Sequence, residues 1–258
     1  MKILVAGTGH IGSWMVEELC HDHEVAIYDS DVKKMKYFFN VERFLKPEEV
    51  KKFKPEMFIN AVSLNNTVAA FKSFLPYIGE KCILADAASV KTGLDSFYSQ
   101  VKNPFVSTHP MFGPTFANIR DLSSENAIII TESSEQGKAF FDNLYKGLKL
   151  NIFYNTFEEH DRTIAYSLSI PFASTMVFAA CMEIQDAPGT TFKKHMDIAK
   201  GLLNEDDHLL TEIMFNRYTT DQLRNINSQL TYLTHIINAK DHEEMAKFIK
   251  RLRDNIFS

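Results

Sequence analysis

Lys2-Ile3-Leu4-Val5-Ala6-Gly7-Thr8-Gly9-His10-Ile11-Gly12 is the stretch that decides the fold of this 258-residue chain. A short apolar run passes at once into Gly-x-Gly-x-x-Gly, and Ile11, Met15 and Leu19 then recur at helical spacing. Glu24 to Tyr28 forms a second apolar run and closes on Asp29. The glycine pattern alone is a weak signal. Strand, glycine turn, helix, strand and terminal acid in succession describe a dinucleotide-binding unit. Gly7 permits the tight turn, Gly9 lets the backbone approach a pyrophosphate, and Gly12 lets helix and sheet pack closely. Thr8, His10 and Ile11 complete the turn at the helix N-terminus, itself an anion site. Asp29 is expected to accept hydrogen bonds from an adenosine ribose, which selects NAD; Lys33 and Lys34, slightly downstream, soften that preference.

The alternation continues outward from this unit. Met57 to Val62, Cys82 to Ala85, Phe105 to Thr108, Ala127 to Thr131 and Asn151 to Tyr154 read as strands, with helical stripes at Val68 to Leu75 and Glu135 to Leu148. Strands at this spacing imply a doubly wound, Rossmann-type α/β sheet, with ligands at the carboxyl ends of its strands. Gly7, Ser63, Ser89 and His109 are then expected along one rim. Strand signals stop after about Phe157, so residues 1–156 form the dinucleotide domain and 157–258 an all-helical substrate and dimerisation domain. Thr219-x-x-Gln222 resembles a capping box, and Asp241-x-x-Glu244 marks the last helix start. A helical domain of this size suggests a homodimer, and no further domain is expected.

Composition narrows the partners. The chain is 45% hydrophobic with a net charge of -5, which argues against nucleic acid or an anionic membrane. Cys20, Cys82 and Cys181 are scattered without metal-like spacing, so no metal is expected and a reducing, cytoplasmic setting is. Ile164 to Met182 is the longest apolar stretch; Ser, Thr and Pro171 interrupt it, and a buried helix pair is expected there rather than a membrane span.

Chemistry gathers in two places. Asp86-Ala87-Ala88-Ser89-Val90-Lys91 ends one strand, and His109-Pro110-Met111-Phe112-Gly113-Pro114 ends the next, its prolines and glycine defining a rigid loop. A hydroxyl beside an imidazole suits proton removal from an alcohol while hydride leaves for a nicotinamide. These two motifs, with Gly7-x-Gly9-x-x-Gly12 and Glu159-His160-Asp161 in the same order, resemble the prephenate/arogenate dehydrogenase family of tyrosine biosynthesis, over nearly the whole chain.

The resemblance implies NAD-dependent oxidative decarboxylation of prephenate, with His109 taking the hydroxyl proton and Ser89 orienting the pair. It also implies a substrate contact from His160, which stands in an acidic helix start as well, and it matches Lys91, which serves the substrate, the loop or the cofactor. The chain departs from the family where His-Leu-Pro-His is usual and Ser169-Ile170-Pro171-Phe172 stands, and where a carboxylate-binding arginine is usual and Asp197 stands. Arg217 is the best replacement cation for a dianionic substrate. These departures leave two alternatives: an arogenate dehydrogenase, with Asp197 facing the substrate amine, or a catalytically silent dinucleotide-binding regulator.

Overall fold

The computed structural model describes residues 1–112 and 121–257; Gly113 and Pro114 of the histidine loop lie outside the described residues. Eight strands make one sheet: β1 Lys2–Ala6, β2 Glu24–Tyr28, β3 Glu42–Phe44, β4 Met57–Asn60, β5 Ile83–Asp86, β6 Phe105–Pro110, β7 Asn126–Ile130 and β8 Asn151–Asn155. Their spatial order is β3-β2-β1-β4-β5-β6-β7-β8. Neighbours pair in parallel except β6 and β7, which are antiparallel. The order reverses between β1 and β4, so the crevice that such sheets use for ligands opens above Gly7. Helices α1 His10–Leu19, α2 Val50–Phe53, α3 Thr67–Phe74, α4 Leu94–Tyr98 and α5 Glu135–Gly147 accompany the sheet. Cores lie on both of its faces, one centred on Trp14, Met15, Phe141 and Tyr145 and the other on Phe58, Phe71, Phe74 and Tyr98. This is the expected doubly wound arrangement.

The glycine turn is fixed by space. Gly7 has φ +89°, and a Cβ there would lie 2.5 Å from the Ala61 carbonyl oxygen. A Cβ at Gly12 would lie 1.8 Å from the Gly7 carbonyl oxygen. Nothing lies within 4 Å of a Cβ at Gly9.

The second half is helical: α6 Phe157–Ile164, α7 Ile170–Cys181, α8 Thr190–Leu203, α9 Asp207–Met214, α10 Thr219–Ala239 and α11 His242–Phe257. Thr156 caps α6 in a reciprocal capping box with Glu159. Glu244 N–H donates to Asp241 at 2.9 Å, as its spacing predicts. The box expected at Thr219 does not form. Its hydroxyl is buried against Ser169 Oγ at 2.7 Å and the Ile213 carbonyl, and Tyr218 stands at the cap position.

The apolar stretch from Ile164 differs from expectation. It is not a helix pair and most of it is not buried: Phe157–Cys181 is one continuous helical run, with a π turn at Ala165–Ser169 joining α6 to α7. Pro171 lacks an N–H and cannot close an α-helical bond to the preceding turn, and the widened turn just before it accommodates that gap. The run is long and apolar enough to cross a membrane by length and composition, yet its first turns pack Phe157, His160, Asp161 and Ile164 against the sheet. Along α7 only Ala173 is buried, and Tyr166, Val177 and Ile184 stand largely in solvent.

Gly12→Ala should destabilise the protein by about 3 kcal/mol, the upper end for overpacking, because the obstructing atom is backbone. Urea unfolding reads this as a lower midpoint at unchanged slope. An unaltered midpoint would show that α1 can move off β1 freely.

Candidate active site

The cofactor side is built by backbone. α1 starts at Gly9 without any side-chain cap, so the N–H groups of its first turn face outward unclaimed by a side chain. Thr8 donates to Asp29 Oδ2 from both its backbone N–H (2.7 Å) and its hydroxyl (2.9 Å), and Asp31 N–H donates to Oδ1 at 2.8 Å. Asp29 therefore pins the glycine turn to the end of β2, and its Oδ1, with one donor against two on Oδ2, keeps a further lone pair for a ligand hydroxyl. His10 and Ser63 lie exposed on the same rim, with Ser63 Oγ accepting from Asn66 Nδ2 at 2.9 Å. Ile11 is half-buried against the core.

β6 carries the proton chemistry, and its pleat explains how. Phe105, Ser107 and His109 alternate with Val106 and Thr108 across the sheet. Thr108 reaches Tyr145 of α5 on one side, at 2.8 Å. His109 reaches α6 on the other: its Nδ1 lies 3.0 Å from His160 Nε2, and His160 Nδ1 lies 3.3 Å from Asp161 Oδ1. Asp161 is held in turn by Lys91 N–H at 3.0 Å and the Thr92 hydroxyl at 3.2 Å. Asn216 donates to the Asp161 carbonyl at 2.9 Å. Burial, then the neighbouring His160 and Lys91, hold His109 well below the usual histidine range. Burial also lowers His160, against the opposing pull of Asp161. Both rings are thus neutral near pH 7, and a neutral imidazole can accept a proton.

Not every residue singled out from sequence joins this cluster as expected. Ser89 sits half-buried between β5 and α4, and among the described residues its hydroxyl has no hydrogen-bond partner; His109 pairs with His160 instead. Lys91, expected among the substrate contacts, is 1% exposed. Its Nζ meets Asp86 at 2.6 Å and the Thr108 carbonyl at 2.7 Å, so it serves the scaffold. Arg217 lies in the turn between α9 and α10 with its Nε 4.0 Å from Asp161 Oδ2, half-exposed at the edge of the histidine chain. Asp197 projects from α8 with its side chain 76% exposed, 4.0 Å from Lys200. Asp161 stands out in the sequence only as part of its Glu-His-Asp motif, with no role of its own, and Thr92 and Trp14 carry no signal there. Trp14 of α1 meets Phe112 edge-on at 5.0 Å and so anchors the histidine loop to the glycine helix. Among the described residues no cluster of His, Cys, Asp or Glu could hold a metal ion.

A doubly wound sheet with an open glycine cradle, followed by helices that complete a buried imidazole pair, defines a nucleotide-binding fold with a helical second half. The comparisons narrow this. Residues 15–151, just over half of the chain, match the family described as prephenate dehydrogenase, nucleotide-binding domain. The chain belongs to the prephenate/arogenate dehydrogenase family. A probable arogenate/prephenate dehydrogenase of Methanocaldococcus jannaschii is 24% identical over 96% of this chain, which spans 59% of that relative's length. Prephenate dehydrogenase of Aquifex aeolicus, solved with hydroxyphenyl propionate and NAD+, superposes with a TM-score of 0.82 at 16% identity, covering 99% of this chain and 96% of its own. Arogenate dehydrogenase of Synechocystis gives 0.75 at 19% identity, covering 99% and 98%.

Two outcomes follow from the buried charges. Lys91→Met leaves Asp86 unpaired in the interior and should cost about 3–5 kcal/mol in urea unfolding; a loss of only a few tenths would mean that water reaches Asp86. His109 and His160 are neutral in the fold but titrate near 6.5 when unfolded, so the unfolded chain binds more protons below that pH. Stability should therefore fall as pH drops through about 6.5, with a shallower slope in His109→Gln. An identical slope in that variant would remove His109 from the linkage.

Proposed function

We propose that the protein is an NAD-dependent dehydrogenase that converts prephenate to 4-hydroxyphenylpyruvate by oxidative decarboxylation, in tyrosine biosynthesis. The observation that carries this reading is His109, a buried, neutral imidazole at the carboxyl edge of the sheet whose glycine turn leaves an open cradle. The Aquifex structure adds support through its ligands: hydroxyphenyl propionate has the phenol ring and three-carbon acid of the proposed product, without the keto group.

The residues fit the cofactor. The α1 N-terminus and the bare Gly9 would hold the pyrophosphate, and Asp29 the adenosine ribose. When bound, NAD supplies the hydride acceptor. His109 Nε2, free of partners among the described residues, takes the substrate hydroxyl proton as the ring carbon loses its hydride. The ring carboxylate then leaves as carbon dioxide, and its bonding electrons complete the aromatic ring. Ser89 orients the hydroxyl. Arg217, beside Asp161 and open to solvent, meets a substrate carboxylate. His160 borders this pocket from the helical side. Asp197, turned outward toward Lys200, offers the amine of arogenate no partner within one chain.

A second copy of the chain covers the bare α7 face in this reading. Tyr166 of the π turn, Val177 of α7 and Ile198 of α8 are each more than half exposed in the single chain, and a partner surface would take such apolar side chains out of water. A cytoplasmic setting keeps the three free thiols reduced.

Prephenate and arogenate, each assayed for nicotinamide reduction with NAD and with NADP, test the reaction. Turnover of prephenate with NAD is expected, whereas no rate with either substrate would favour the silent regulator. His109→Asn should lower kcat by about 10²–10⁴-fold with NAD affinity unchanged. Near-normal turnover would take His109 out of the mechanism. Sedimentation should give a dimer; a monomer at all concentrations would leave the α7 face unexplained.

A further inference from the structure

We infer that His160 is a positioning residue: held by Asp161, it fixes the tautomer of His109 so that the Nε2 lone pair stands ready for the substrate proton. This rests on the reading of His109 as proton acceptor, and it changes the role of His160 from substrate contact to orienter. Asp161 can only accept, and its pKa lies below the usual carboxylate value because His160, Lys91 N–H and Thr92 all donate to it, more than offsetting burial. His160 must therefore carry its proton on Nδ1, which leaves Nε2 as an acceptor. His109, 3.0 Å from that acceptor, must carry its proton on Nδ1, and its Nε2 is left unprotonated. The opposite tautomer of His109 would set two lone pairs against each other. Flipping both rings would turn the His160 Nδ1 lone pair toward a carboxylate. One charge thus orients two rings.

The surrounding groups reinforce this. Lys91 faces both rings from the β5–α4 loop, Asp86 lies beneath it, and Arg217 approaches Asp161 from the α9–α10 turn. Lys91 donates to Asp86 and the Thr108 carbonyl, so it repels a proton on the rings without hydrogen-bonding to either. When the substrate O–H bond breaks, an Nε2–H bond forms on His109, and the imidazolium keeps its Nδ1–H on His160. The arrangement is that of a general base held in one tautomer by a third group, and in the serine-protease triad a wrong tautomer costs about 10⁴ in kcat.

His160→Leu and His160→Gln separate the roles. Leucine removes the acceptor; kcat should fall by about 10²–10⁴-fold while KM and NAD affinity stay within a few fold. Glutamine presents a carbonyl to His109 and an amide N–H to Asp161, and it should restore most of the rate. The loss in the leucine variant should persist at every pH above the acid limb, because a tautomer ratio does not depend on pH. A loss that vanishes at high pH, equal losses in both variants, or a change confined to KM would overturn the inference. Nitrogen-15 NMR of the wild-type imidazoles, without substrate, gives a readout independent of turnover: His109 should show a protonated Nδ1 and a bare Nε2. An active wild type whose His109 is protonated on Nε2 sinks the relay and spares the reaction. A wild type inactive on both substrates sinks the reaction, while the NMR still decides the tautomer.

Discussion

A lysine with almost no exposed surface, Lys91, ties the protein together where its two halves meet. Its ammonium bonds Asp86 at the end of β5 and the Thr108 carbonyl on β6, while its own N–H bonds Asp161 on α6. Tyr98 of α4 closes the shell with a 2.7 Å hydrogen bond to the second Asp86 oxygen. Burying a charge is costly unless its partners satisfy it, and such a pair adds little net stability. What it adds is position: with all of these bonds made, β5, β6, α4 and α6 have one mutual arrangement, and His109 and His160 are placed by it.

That dependence explains what could be read from the chain in advance. The glycine turn was legible because its constraint is local: two backbones approach too closely for a Cβ, and residue identity alone reports it. Strands β1, β2 and β4 to β8 were legible as apolar runs. β3 was missed, since Glu42-Arg43-Phe44 is short and largely exposed at the sheet edge. Lys91 is singled out in the sequence only by its motif, which leaves substrate, loop and cofactor roles open. Its burial depends on Asp86, Tyr98 and Thr108 arriving from three elements, which no spacing reveals. His160 stood out from sequence, but its partner lies 51 residues away, so its contact with His109 was out of reach. Thr219 looked like a cap because the pattern was right; the tertiary contact with Ser169 took its hydroxyl first.

The helical half shows the same limit from the other side. Its helices were read from apolar spacing, and that spacing is present. Apolar character, however, says only that a surface will be covered, not by what. Ile184, 94% exposed, and Phe215, 80% exposed, stand uncovered in the single chain. The sheet strands β1, β4 and β5, by contrast, bury nearly all of their apolar residues.

The π turn at Ala165–Ser169 has a geometric consequence. The buried residues Phe157, Asp161, Ala165, Ser169 and Ala173 recur every four positions through it. Four residues carry an α-helix about 40° past a full turn, and the wider π turn rotates less per residue, which holds that row nearer one side of the rod. A single continuous rod thereby meets the sheet at one end and α9 and α10 at the other. Ser169 marks the second mesh, with its hydroxyl on Thr219. The extra residue in that turn acts as a correction to the pitch of one shaft, so the facing of its two ends is written into chain length rather than side-chain chemistry.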